Sequence, residues 1–168
     1  MNTISAWSTD GHPHEVTAEE LSWRPSVYVA IFDDDQVLLL PHRNGSFDLP
    51  GGGLELGESI PAGAAREVLE ETGLDVAVGP VAQVRDSFVV FRTGTPQRTA
   101  YHSLMMYAVG RVLGGQLSRA GFDPWEREHL DLAQWLPVDR LDRITPYGSV
   151  DFRPIVASLW ADSGAHPA

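Results

Sequence analysis

The stretch Gly52–Leu74, GGLELGESIPAGAAREVLEETGL, constrains this chain more than any other segment. Glu67, Glu70 and Glu71 recur at i, i+3 and i+4, so a helix puts all three on one face. At about 100° per residue, Glu70 and Glu71 fall roughly 60° and 40° to either side of Glu67. Ala62, Ala65, Val68, Leu69 and Thr72 take the opposite side, a small and apolar stripe suited to packing on a sheet. The punctuation is that of a helix: Ser59 as N-cap, Pro61 in the first turn and Gly73 at the left-handed C-terminal position. One face buries while the other presents three carboxylates, which repel one another unless a positive charge sits among them. Hard oxygen ligands of this kind suit Mg²⁺ or Mn²⁺. An amphipathic helix with a merely solvated acidic face is the alternative reading of a bare ExxEE.

The wider spacing favours the first reading. The stretch resembles the Nudix box, G-x5-E-x7-R-E-U-x-E-E-x-G-U with U aliphatic. Gly52, Glu58, Arg66, Glu67, Val68, Glu70, Glu71, Gly73 and Leu74 match every specified position. Leu132–Val138, LAQWLPV, is similar to a late strand of the family, and the resemblance extends over about residues 24 to 160. It implies an α/β fold, a Nudix-type α/β/α sandwich with a mixed β-sheet and the box helix packed on it.

The resemblance also implies an activity: metal-dependent hydrolysis of a nucleoside diphosphate linked to another moiety. Gly52, Glu67, Glu70 and Glu71 are the implied holders of Mg²⁺ or Mn²⁺, and the bound ion lowers the pKa of a water that attacks phosphorus. Glu70, Arg66 and Glu58 are the expected catalytic group. Arg66 is expected to turn aside from its neighbour Glu67 and, being always charged, to hold carboxylates in place rather than take a proton. A later loop supplies the proton acceptor in some members, and of Asp123, Glu126 and Glu128 we take Glu128 as the candidate. Arg43, beside His42, is expected to contact phosphate, and Phe88 and Trp125 to stack on a base. Tyr28, Phe91 and Tyr101 have the same capacity, though aromatic residues on strands commonly serve the core. In ADP-ribose hydrolases of the family a proline follows the box at a set distance, and in diadenosine polyphosphate hydrolases a tyrosine. Here Val90 and Phe91 fall there. A nucleoside triphosphate is slightly preferred as substrate. The alternatives are a catalytically silent nucleotide- or sugar-nucleotide-binding module, from which loss of a box carboxylate is expected, and a bare interaction scaffold.

Composition agrees. At 168 residues and 43% hydrophobic the chain is expected to form one core. We divide it into a polar lead-in over 1–25 with a short helical turn near Thr17–Leu21, a single domain over 26–162 and a flexible tail over 163–168. A net charge of −11 argues against binding duplex nucleic acid. The expected partner is a small nucleotide-type substrate, with a homodimer left open. Zero cysteines excludes thiol chemistry, and no apolar stretch is long enough for a membrane span. The N-terminus lacks the features of a secretory signal, so we expect a cytoplasmic enzyme. All 12 basic residues are arginines, so a phosphate clamp must use Arg, His or backbone amides.

Strands are expected over Ser26–Phe32 and Gln36–His42, joined by a turn at Asp33–Asp35. Further strands are expected over Val76–Phe91 with a break at Gly79–Pro80, over Thr99–Val112, and over Asp131–Leu136. Thr93–Pro96 reads as a loop, Gly114–Gly115 as a turn and 118–130 as an irregular loop. Short helices are expected over Val138–Arg143 and Phe152–Trp160.

Overall fold

The computed structural model describes residues 3–8, 11–91 and 99–163. The tail beyond 163 and the Thr93–Pro96 loop lie outside the described residues. The chain is a mixed α/β fold built on two long neighbouring strands. β3 (Leu21–Asp33) runs parallel to β8 (Thr99–Gly115), register Leu21↔Ala100 through Ile31↔Gly110. β8 in turn runs antiparallel to β7 (Leu74–Phe91). β4 (Gln36–Pro41) returns antiparallel beside β3, and β5 (Ser46–Asp48), β6 (Gly51–Gly53), β9 (Gln134–Pro137) and β10 (Thr145–Pro146) extend that side.

Alternation along β3 and β4 divides the core into two layers. Val27, Val29 and Ile31, with Leu38 and Leu40, pack against Ala64 and Val68 of helix α1 (Ile60–Thr72). Their neighbours Ala30, Val37 and Leu39 face the other way, onto Phe152 and onto Ile155, Val156 and Leu159 of helix α3 (Arg153–Asp162). Helices therefore cover both faces of a mixed sheet, as expected from the resemblance. The capping of α1 follows its sequence: Ser59 Oγ accepts from the Ala62 N–H at 3.4 Å, and Gly73 takes φ 78°.

Several elements differ from expectation. Part of the lead-in is sheet: β1 (Ile4–Ser8) pairs parallel with β7 at Trp7↔Val89 and Ser8↔Val90, and β2 (Pro13–Val16) pairs with β1. The buried residues there are Ala6, Ser8 and Val16, too small and polar to announce a strand. The helical turn is present as a 3-10 turn, Ala18–Glu20. Gly79–Pro80 does not break β7; a register shift between Val78 and Val81 absorbs the proline without ending the strand. Gly114 and Gly115 stay paired with Asp75 and Leu74. The expected irregular loop contains helix α2 (Pro124–His129), closed by a capping box between Asp123 and Glu126. The hairpin turn is present, with Asp34 at φ 50°, and Val138–Arg143 is a 3-10 helix.

Candidate functional site

The glycine segment is held on β3 before it meets the helix. Gly51–Gly53 pairs with Tyr28–Ser26, while the Val29 N–H donates to Pro50 O and the Leu54 N–H to Pro25 O. The box face of α1 lies directly against it. A Cβ on Gly52 would come within 2.8 Å of the Glu67 carboxylate, so only glycine lets that carboxylate approach the backbone. Glu71 Oε2 accepts the Gly51 N–H at 2.7 Å.

Arg66 organises the remaining carboxylates. Its Nε and Nη2 donate to the two oxygens of Glu58 at 2.7 and 3.0 Å, a bidentate pair. Nη1 donates to Glu67 Oε1 at 3.0 Å and Glu70 Oε2 at 3.1 Å, and Nη2 also donates to Gly53 O at 3.2 Å. The expectation that Arg66 would turn aside from Glu67 is therefore corrected, because the two residues share a direct hydrogen bond. The bidentate bond with Arg66 holds the Glu58 carboxyl down at about 2. Burial nevertheless raises Glu67 above the usual carboxylate range, since it receives a single N–H. Burial raises Glu71 well above that range despite the Gly51 N–H.

Glu67 and Glu71, but not Glu58, Arg66 or Glu70, line a cavity of about 630 Å³, within the size range of small-molecule sites. Its lining includes Gly51–Gly53, Glu67 and Glu71, together with Arg24, Phe91 and Tyr101 from β3, β7 and β8. His42, Asp48 and Tyr147 also line it, together with Asp123, Trp125 and Glu126. The α2 segment reaches the box helix because Gly121 lies on the backbone of Glu70, where a Cβ would meet its carbonyl O at 2.4 Å. Burial raises the Glu126 carboxyl, and the charges of Asp123, Glu67 and Glu70 raise it further. His42 is stacked on Tyr147 with centroids 3.9 Å apart, and burial lowers its pKa to about 4, so the ring is neutral.

The candidates from the sequence divide accordingly. Gly52, Glu58, Arg66, Glu67, Glu70 and Glu71 form one connected group, and Trp125 lines the cavity with 47% of its surface exposed. Glu70 sits at the edge of the group, its carboxylate turned to Arg66 and half exposed. Three candidates lie elsewhere. Arg43 is exposed and paired with Asp131 at 3.8 Å; on a strand end, successive side chains alternate, and the cavity takes His42 instead. Phe88 packs on His102, centroids 4.4 Å apart, while Phe91, three residues on and so on the other face, lines the cavity. Glu128 is exposed, because two residues along a helix turn about 200°, and Glu126 faces inward. Arg24, Asp48 and Tyr147 were not anticipated. Each is an ordinary-looking residue far along the chain from the box, with no local pattern to mark it.

Among the described residues no three Asp, Glu or His side chains converge as a ready-made metal cage. The donor chemistry nevertheless fits a divalent cation. Glu67, half-buried, and Glu71, buried, supply only oxygen; Glu67 has one bond from Arg66 and Glu71 none, so a cation between them would meet little competing positive charge.

Asp48 allows a prediction about stability. Burial raises its pKa from the ordinary 3.8 to about 7. A raised carboxyl favours folding only while protonated, so its contribution is complete below 3.8 and lost as pH rises through about 7. Asp48→Asn should therefore gain in Tm relative to the parent as pH is taken from 4 to 8. A constant Tm difference across that window would contradict the assignment.

The NUDIX domain family model matches residues 22–157. This chain therefore belongs to the Nudix family. It is 36% identical over 135 residues to a protein of Edwardsiella ictaluri named NAD-capped RNA hydrolase NudC, covering 78% of this chain and 46% of that protein. It is 35% identical over 104 residues to the ADP-ribose pyrophosphatase of Methanocaldococcus jannaschii, covering 59% and 56% respectively. The chain thus spans about half the length of the curated relatives it matches. A crystal structure of an ADP-ribose pyrophosphatase from Streptococcus suis superposes with a TM-score of 0.63 at 21% identity, covering 84% of this chain and 92% of that one. A NUDIX hydrolase from Nitrosomonas europaea gives 0.63 at 23% identity, covering 87% and 93%. Both share the fold. No helix among the described residues is long and apolar enough to cross a membrane.

Proposed function

We propose that this chain hydrolyses the pyrophosphate bond of a nucleoside diphosphate linked to another moiety, with Mg²⁺ or Mn²⁺ as cofactor. The observation that carries this reading is the carboxylate group organised by Arg66, with Glu67 and Glu71 facing the cavity beside Gly52. Glu67, Glu71 and the Gly52 carbonyl would hold the cation, with Glu70 at its outer edge. A cation held there would neutralise diphosphate oxygens and lower the pKa of a water. Arg66 keeps Glu58, Glu67 and Glu70 in register. Glu126, inward and raised in pKa, takes the role of proton acceptor in place of Glu128. Arg24 makes no salt bridge among the described residues, its Nη1 donating to Ser26 Oγ at 2.8 Å, and it is the cavity's available phosphate-binding cation.

The relatives bearing the names NAD-capped RNA hydrolase and ADP-ribose pyrophosphatase widen the substrates to be tried beyond a nucleoside triphosphate, our first preference. A phosphate-release screen over nucleoside triphosphates, sugar nucleotides and dinucleotides, with Mg²⁺ and with Mn²⁺, tests the reading. Absence of cleavage of every compound with either ion would favour the silent binding module. Within an active protein, Trp125→Ala should raise KM or change the substrate ranking, since losing a ring that stacks on the base or on the linked moiety costs about 1–3 kcal/mol. Phe88→Ala should leave both unchanged. The opposite pattern in steady-state kinetics would relocate the base.

A further inference from the structure

The cavity has a side recess of about 50 Å³ whose lining overlaps its own. Arg24, Tyr28, Asp48, Phe91 and Tyr147 line both. Three rings, one guanidinium and one carboxylate thus surround the junction. Asp48 is the unusual member. Its Oδ1 accepts the Leu49 N–H at 2.8 Å, and among the described residues no cationic group lies within 4.0 Å of it. Among the described residues its second oxygen has no protein donor, yet it is not sealed from solvent. That oxygen therefore opens onto the cavity.

A carboxylate held in this way repels phosphate and attracts N–H groups. It is a poor start for a cation site, since the recess brings no second carboxylate beside it, only aromatic and apolar side chains, Ser103, Ser149 and the cationic Arg24. Arg24 rests against the rings on the other side, its guanidinium 5.5 Å from the Phe91 ring centroid and 5.9 Å from that of Tyr101, with its charge still open to phosphate. Rings supply the faces and Asp48 the edge for a planar heterocycle. We infer that the nucleobase lies in the cavity at the mouth of this recess, which is itself too small to hold a ring, and that the second oxygen of Asp48 reads an amino or ring N–H group on the base. The inference rests on the reading of the cavity as a nucleotide site, and it makes Asp48 a specificity-determining residue.

A protein–ligand double-mutant cycle tests it. Binding of AMP against purine riboside 5′-monophosphate, and of GMP against IMP, is measured calorimetrically with Mg²⁺ for the parent, Asp48→Ala and Asp48→Asn. The pH is held at 8.5, above the value of about 7 at which Asp48 ionises. Each pair differs by one amino group. The parent should bind the amino-bearing member of at least one pair about 10-fold or more tightly, the scale of a hydrogen bond to a charged acceptor. Both variants should lose that preference, Asn because its NH₂ can face the ligand. Thermal melts establish that the variants fold, and Asn serves if Ala does not. Discrimination surviving in a folded variant, no discrimination by the parent, or no binding of any of the four overturns the inference. The phosphate-release screen separates this from the hydrolase reading. Cleavage without discrimination sinks only the role of Asp48, and discrimination without cleavage sinks only the activity.

Discussion

Glu71→Gln should lower kcat by roughly 10²- to 10⁴-fold on every substrate while leaving the fold intact. A metal-ion ligand contributes several kcal/mol of charge stabilisation in the transition state, and each 1.36 kcal/mol is tenfold in rate. The fold survives because the amide oxygen of Gln can still accept the Gly51 N–H that Glu71 takes at 2.7 Å. Burial already disfavours the ionised carboxylate, so the neutral amide costs little there. Tm at neutral pH should be unchanged or raised, and Mn²⁺ affinity, read by titration calorimetry, should fall. Turnover close to the parent's would remove Glu71 from the metal site. A collapse in Tm would instead make it a structural residue.

Arg66→Lys should cost about 10- to 100-fold in activity, the range seen when groups orienting metal ligands are lost. Lysine keeps the charge and loses the fork that binds both oxygens of Glu58 and, through Nη1, Glu67 and Glu70. The effect should also appear in acid. Arg66 depresses the Glu58 carboxyl from 4.5 to about 2, so the stabilisation is present above 4.5 and lost as pH falls through about 2. The Tm gap between parent and Arg66→Lys should narrow as pH is lowered through that window. A gap independent of pH would mean that Glu58 is not the partner that matters.

The box helix was legible in large part because most of what it needs is local. Capping by Ser59 and Gly73 and the shared face of Glu67 and Glu71 follow from 3.6 residues per turn. The expected apolar stripe holds only in part. Val68 and Thr72 are buried, but Ala62 and Leu69 are exposed, and Ala64 and Glu71 are buried in their place because the sheet and the glycine segment set how the helix is rotated. The hairpin at Asp33–Asp35 was legible for the same reason, two apolar runs meeting at a polar turn. The N-terminal strand β1 was not, since its buried positions are Ala6 and Ser8 and its pairing partner β7 lies some eighty residues away. Arg43, Phe88 and Glu128 show a finer limit. Each has the right chemistry, but a neighbour one to three residues away, His42, Phe91 or Glu126, takes the position facing the cavity. Which member of such a pair faces inward depends on strand register and helix phase, and composition is silent on both.

The sequence by itself determined the local carboxylate helix, the glycine turn before it and the membership of the chain in its family. All three depend on spacings within one short segment. Only the tertiary structure decided what stands opposite that helix. Arg24 on β3, Asp48 on β5, Glu126 on α2 and Tyr147 after β10 come together because the sheet splits between β4 and β6 and α2 folds back over Glu70. Such convergence is a product of long-range strand pairing and close backbone packing, and those contacts leave no periodic mark on the chain.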